Sequence, residues 1–200
     1  IEKIGIFIAR HLKERVKKDK YVLIANISCS MILEEYLEKE GIEVVRVRVG
    51  DVFVCEYIRE HDALMGVESS AHFFIPTYYI FDDPLLTTAM LAELLSEKNV
   101  KLSELADTVA HYPYKEMGYK VPDEKKFAIV EELADQAQKA GLKTTTIDGV
   151  RVDFDDGWVL LRCSNTEPKI RMFVEAKTPD RLSGLICEYE KKLASRGVKV

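Results

Sequence analysis

The sequence predicts an α/β domain, a mixed sheet with flanking helices, over residues 1–111, followed by a smaller α+β domain with an antiparallel sheet and two helices over 112–200. Three observations carry this. The first half alternates apolar, β-rich runs with helical periods at βαβ spacing. In the second half, strand-like runs are joined by tight Asp/Gly turns and bracketed by two helical stretches. Between them HYPYKEMGYKVPDEKK, with two prolines, breaks both patterns and reads as a hinge leading into the first strand of the second domain.

The elements follow in order. Ile4, Phe7, Ile8, His11, Leu12 and Val16 recur at helical spacing, which predicts an opening helix of about four turns. YVLIANI is a continuous apolar run, as expected of a strand buried on both faces. Ser28 or Ser30 is placed to cap a helix through MILEEYLEKE, which Gly41 stops, and Val44 to Val49 follows as a strand. DVFVCEYIREH reads as a helix, and LMGV and HFFIP as short strands joined by GVESSAH. Asp82 or Asp83 caps the next helix, with Pro84 in its first turn, where a missing N–H costs nothing. Leu102 to Ala110 is a shorter helix that closes the domain.

In the second domain a helix runs from Asp123 to Ala140 and stops at Gly141. TTTIDGVRVDF turns at Asp148 and Gly149, GWVLLRC follows a turn at Asp155 to Gly157, KIRMFVEA is the next strand, and a helix from Pro179 to Ala194 closes the chain.

At 200 residues the chain is long enough to bury a substantial core. A net charge of −5 argues against non-specific nucleic-acid binding, which needs a basic face, but leaves room for a local cationic site. Cys29, Cys55, Cys163 and Cys187 are scattered, form no CxxC pair and sit in apolar or amphipathic stretches, so they are expected to be reduced core or boundary thiols of a cytoplasmic protein. No apolar run reaches the roughly 18 residues of a membrane span. The chain opens on IEKIGIFIARHLKERVKK without a methionine, and the expectation is that it starts inside a longer polypeptide.

Three segments carry chemistry. RCSNTEP gathers Arg162, Ser164, Asn165 and Thr166 within five positions, with Lys169 and Arg171 close behind. Hydroxyls, backbone N–H groups and forked guanidinium groups can converge on the acceptor oxygens of a phosphate ester. The plain alternative is a polar hairpin turn whose side chains satisfy their own backbone. Glu167 is expected to point away from an anion or to position an arginine. In GVESSAH, Glu68 can accept from two sugar hydroxyls, with Ser70 and His72 adding contacts; the alternative is a polar turn with His72 partly buried. In VRVRVGD, Arg48 precedes Gly50 and can reach a ligand, although a solvated alternating strand accounts for both Arg46 and Arg48. The aspartates of IDGVRVDFDDG bracket turns and lack the close spacing of a metal cage.

The full RCSNTEPxxR string between strands closely resembles the phosphate-binding loop in the last domain of the α-D-phosphohexomutases, the phosphomannomutase/phosphoglucomutase family. GVESSAH resembles that family's GExSGH sugar loop, with Glu68, Ser70 and His72 matching, and Asp83 matches the aspartate of its Asp-Gly helix opening. Arg48 stands where the family has a basic residue before a glycine turn. Val67, Ala71 and Pro84 depart, each occupying a position where the family usually has glycine. The resemblance covers essentially the whole chain, as the third and fourth domains of such an enzyme.

It implies an intact enzyme that interconverts hexose 6-phosphate and hexose 1-phosphate through a phosphoserine and a hexose 1,6-bisphosphate intermediate, with magnesium. Neither the family's TASHNP-like serine loop nor its DGDxDR-like metal loop occurs in this chain. No catalytic residue and no metal ligand is therefore expected here. The implied partners are a phosphohexose and the missing N-terminal domains of the same polypeptide, with no nucleic acid and no membrane, and this half alone is expected to be inactive. Asn165 favours the mannose/glucose branch over the glucosamine branch, whose loops more often carry Gly there. A stand-alone sugar-phosphate-binding half and a noncatalytic interaction protein are the alternatives.

Overall fold

A computed structural model describes all residues, 1–200, as two compact units, Ile1–Ala110 and His111–Val200. In the first unit, helix α1 (Glu2–Arg15) leads into β1 (Tyr21–Asn26), α2 (Ile32–Leu37) with a 3-10 turn (Glu38–Glu40), and β2 (Ile42–Val47). After these come α3 (Asp51–His61), β3 (Met65–Val67), β4 (Phe73–Phe74), α4 (Pro84–Lys98) and α5 (Leu102–Asp107). The sheet order is β2-β1-β3-β4; β1 is parallel to β2 and β3, and β4 is antiparallel to β3, so the sheet is mixed.

The sheet is covered on both faces. Val22, Ile24 and Val47 pack on Val54 and Ile58 of α3, while α1 and α2 lie on the other face and α4 packs on α1. This sandwiching explains why β1 is apolar at almost every position and buried from Val22 to Asn26. It also explains why α1 is buried beyond the single expected stripe, with Gly5, Ile6 and Ala9 as inaccessible as Phe7 and Ile8. His11 is fully buried among these contacts. Its Nδ1 lies 3.0 Å from Arg15, a group that can only donate, so Nδ1 accepts and Nε2 carries the proton directed at Glu93, 3.3 Å away on α4.

Several boundaries differ from expectation, each for a local reason. Strand β2 spans Ile42–Val47 rather than Val44 to Val49, because Gly41, at φ 73°, ends the preceding turn and Ile42 at once enters register with Tyr21. Ser30, not Ser28, accepts from the Ile32 amide at the start of α2, while the Ser28 hydroxyl turns to Asn26 and Ser69. Asp83 caps α4 through the Leu86 amide, whereas Asp82 accepts from Phe73 N–H. Helix α5 ends at Asp107, three residues early.

The second unit contains β5 (Tyr114–Lys120), α6 (Asp123–Lys139), β6 (Lys143–Thr145), β7 (Val150–Phe154), β8 (Gly157–Cys163), β9 (Lys169–Ala176) and α7 (Pro179–Ala194). Its antiparallel sheet has the order β5-β9-β8-β7-β6. Helices α6 and α7 cover one face, where Ile129, Val130, Leu133, Leu185, Tyr189 and Leu193 meet Val159, Leu161, Ile170, Met172 and Val174. By strand alternation the other face carries Trp158, Leu160 and Arg162 of β8. There Trp158 donates to Glu175 at 3.1 Å and lies under the Arg151 guanidinium. Among the thiols, Cys29 is buried and Cys55 and Cys163 are half-buried, but Cys187 is exposed on α7, outside the core or boundary setting expected of it.

Gly66 of β3 faces α3 so closely that an added Cβ would sit 2.3 Å from Val54 Cγ1 and 3.0 Å from Ile58 Cδ1. Gly66→Ala is expected to destabilise the protein by about 1–3 kcal/mol through this overpacking, read as a lowered urea midpoint with unchanged m-value.

Candidate functional site

The link between β8 and β9 is the RCSNTEP loop, and the register of the two strands sets its geometry. Arg162 is directly opposite Arg171, and Cys163 is opposite Ile170. Cross-strand partners project to the same face, so two arginine side chains leave the sheet side by side at the mouth of the loop, an arrangement that is unfavourable unless countercharge is supplied. Each has a carboxylate from the strand or turn on its far side. Asp148, in the β6–β7 turn, lies 2.8 Å from Arg162, and Glu116 of β5 accepts from Arg171 Nε at 2.8 Å. Arg162 is mostly enclosed, and its Nε is buried with no hydrogen-bond partner. A buried N–H left unpaired costs on the order of 1–3 kcal/mol.

The loop itself is ordered by Ser164. Its hydroxyl accepts from the Thr166 and Glu167 amides at 3.4 and 3.2 Å, and its own amide donates to Lys169 O at 3.0 Å. Asn165 and Thr166 are exposed at the tip. Glu167 pairs with Lys169 at 2.6 Å and not with an arginine, and this bond holds its carboxyl below the usual range. Burial pushes the neighbouring Cys163 thiol up to about 11.

One glycine makes the Arg162–Asp148 contact possible. Gly149, at φ 82°, brings the β6–β7 turn against β8 so tightly that a Cβ would lie 2.1 Å from Leu161 O and 3.0 Å from Arg162 Cα. No larger residue fits, and Asp148 is thereby delivered to Arg162.

In the first unit the GVESSAH loop is built around Glu68, which is 3% exposed. Its Oε1 accepts from Asn26 Nδ2 at 3.1 Å and from the Gly50 amide at 3.0 Å, and its Oε2 lies 3.1 Å from His72 Nδ1. The carboxylate can therefore meet a ligand only through Oε2, on the side where His72 is exposed. Ser70 is exposed at the loop tip, and Arg48 is exposed with its guanidinium 4.4 Å from the Phe53 ring centroid. Arg48, Gly50 and Phe53 lie at the start of α3, so the basic residue belongs to the same neighbourhood as Glu68. Ala71 adopts φ 72°, a left-handed conformation that costs a residue with a Cβ about 1 kcal/mol.

Sequence reasoning missed three supports. Asn26 is buried in β1 and holds Glu68, yet reads as an interruption of an apolar run. Arg46 is no solvated strand residue: it makes a bidentate pair with Glu34 and donates to the carbonyls of Asn26, Cys29 and Ser30, fixing the β1–α2 turn. Lys126 is 4% exposed on α6 and reaches under the RCSNTEP loop. Nothing in their spacing marks them. No group of three or more His, Cys, Asp or Glu side chains converges in a way that could hold a metal ion. No helix is long and apolar enough to cross a membrane.

A two-unit chain with a mixed α/β sheet, an antiparallel α+β sheet and a donor-rich loop after an arginine on the fourth strand of the second sheet defines a phosphohexomutase-like architecture. Residues 2–112 match phosphoglucomutase/phosphomannomutase, alpha/beta/alpha domain III, and residues 116–191 match the C-terminal domain of the same family. The chain belongs to the phosphoglucomutase/phosphomannomutase family.

A phosphoglucomutase/phosphomannomutase of Thermococcus kodakarensis is 36% identical over 161 residues, covering 80% of this chain and 35% of its own length. A phosphoglucosamine mutase of Methanococcus aeolicus is 32% identical over 201 residues, covering 100% of this chain and 42% of its own. The crystal structure of a phosphoglucomutase/phosphomannomutase family protein from Burkholderia thailandensis shares the fold with a TM-score of 0.80 at 24% identity, over 95% of this chain and 41% of that one. The chain thus spans well under half the length of these relatives.

Gly149→Ala is expected to destabilise the second unit by about 2–4 kcal/mol, since both the contact and the backbone conformation are lost, with a clear fall in melting temperature. For the thiols, a raised pKa leaves less thiolate at pH 8, so native-state iodoacetamide should alkylate exposed Cys187 first and half-buried Cys163 and Cys55 slowly, as peptide mapping would report.

Proposed function

We propose that this chain is the sugar-phosphate-binding half of a phosphohexomutase that interconverts hexose 6-phosphate and hexose 1-phosphate. The observation that carries the reading is the pairing of Arg162 with Arg171 across β8 and β9 at the mouth of a Ser-Asn-Thr loop, with Arg162 Nε buried and unpartnered. Arg162, Ser164, Asn165, Thr166 and Arg171 hold the phosphate that is not reacting. Glu68 through Oε2, with Ser70, His72 and Arg48, receives sugar hydroxyls. Anchoring a ligand at both ends serves a reaction in which either end must be presented to the nucleophile, because positioning and charge stabilisation dominate phosphoryl transfer. The nucleophile is a phosphoserine, and the magnesium site lies, like that serine, in domains N-terminal to this chain. Hexose 1,6-bisphosphate is the intermediate, and the working location is the cytoplasm.

The hexose is mannose or glucose on the evidence of Asn165. A second reading, glucosamine phosphate, is favoured by the names of relatives such as the Methanococcus aeolicus phosphoglucosamine mutase. Titration calorimetry with glucose 1-phosphate, mannose 1-phosphate and glucosamine 1-phosphate separates the two by rank order of affinity.

Arg162→Ala is expected to weaken binding of whichever ester binds best by at least tenfold, the loss of a charge-assisted pair of about 1.5–3 kcal/mol. Wild-type affinity in that variant would remove the phosphate site from this loop.

A further inference from the structure

Lys126 is the one cation near the RCSNTEP loop that lies beneath it, buried, rather than at its surface. A lysine ammonium has three donors, and all three are used. Nζ lies 2.5 Å from Ser164 O, 3.2 Å from Glu167 O and 2.6 Å from the Asp123 carboxylate at i−3. The two carbonyls are the first and last of the loop's polar tip, so a single group clamps both ends of the turn. The clamp is itself seated by the chain. Val121 N–H donates to Pro168 O at 2.9 Å, which ties the loop's exit to the residue leading into α6 and sets the first turn of that helix under the loop.

Burying an ammonium costs several kcal/mol unless it is paired and fully hydrogen-bonded. Its carboxylate partner Asp123 is largely exposed and supplies only part of the compensation. The remainder comes from the loop carbonyls, so the loop and the lysine hold each other in place. Peptide planarity gives this a directional result. With Ser164 C=O turned inward to Nζ, the trans peptide turns the Asn165 N–H outward, to the exposed side of the loop. The Thr166 and Glu167 amides are meanwhile gathered on Ser164 Oγ. The outward amide is therefore a consequence of Lys126, and it faces the side where Asn165 and Thr166 are open to solvent.

We propose that Lys126 is a positioning residue of the phosphate site: it sets the Ser164–Asn165 peptide so that the Asn165 amide is presented to the anion, and it places a fixed positive charge behind the loop. Its role in binding rests on the phosphate reading above; its role in shaping the loop does not.

The test uses the full chain with Lys126→Met, which keeps the apolar stem and removes the donors. Two quantities are read: amide hydrogen exchange across residues 164–167 without ligand, and affinity for glucose 1-phosphate. The expected result is at least tenfold faster exchange in the loop, with β7 to β9 protected as in the wild type, and at least tenfold weaker binding. Wild-type loop exchange overturns the proposal, as does binding within twofold of wild type. If the wild-type chain binds no phosphate ester while loop exchange still accelerates in the variant, the phosphate reading fails and the shaping role stands. If the methionine variant does not fold, Lys126→Gln, which keeps a neutral donor, is measured in the same way against the same thresholds.

Discussion

Two like charges held side by side organise the second unit. Arg162 and Arg171 are cross-strand neighbours, an arrangement that costs free energy unless other elements supply countercharge. The fold meets this from both flanks of the hairpin, with Asp148 arriving from the β6–β7 turn and Glu116 from β5. The sheet order β5-β9-β8-β7-β6 is what makes it possible, since it places β8 and β9 at the centre with one carboxylate-bearing neighbour on each outer side. The glycine that lets the turn touch β8 serves that pair by delivering Asp148, while the serine that closes the loop and the lysine beneath it hold the turn between the two strands.

The first unit solves the converse problem, a single buried carboxylate. Glu68 is enclosed and depends on Asn26, the Gly50 amide and His72 for its hydrogen bonds. Asn26 is oriented in turn. Its side-chain oxygen accepts from Ser28 and from the Cys29 thiol, which leaves its amide nitrogen to face Glu68. Arg46 draws the carbonyls of the same turn together. The polar end of β1 is thus a scaffold assembled from residues that are ordinary one by one and effective only in this arrangement.

Much of this was legible in the chain because it was written in local rules. Gly41 and Gly141 close turns with positive φ, Asp83 with Pro84 opens α4, and Pro179 opens α7, all as their chemistry requires. The strand run GWVLLRC and the donor density of the loop that follows it were equally plain. The supporting residues were not legible, for a physical reason. Lys126 sits in an amphipathic helix where a lysine ordinarily faces water, and only the folding of a distant loop over it makes it buried. Arg46 looked like one member of an alternating strand because its partners lie in the turn between β1 and α2, a contact no periodicity encodes. Neither does spacing reveal that Glu167 would choose Lys169 over an arginine, since that depends on how tightly Ser164 curls the loop.

The close approach of Gly149 to Leu161 and Arg162 also bears on how such a protein can change over generations. A hairpin turn at a surface is normally a place where lengths drift freely. Here the turn delivers the counterion of Arg162, so an insertion or deletion between β6 and β7 would displace Asp148 and leave a half-buried guanidinium uncompensated. That short connection should evolve like an interior segment, with residues inherited as a set, and so should the neighbouring Asp155–Gly157 turn, where a Cβ on Gly157 would lie 2.6 Å from Glu175 O and Asp156 accepts from Arg181.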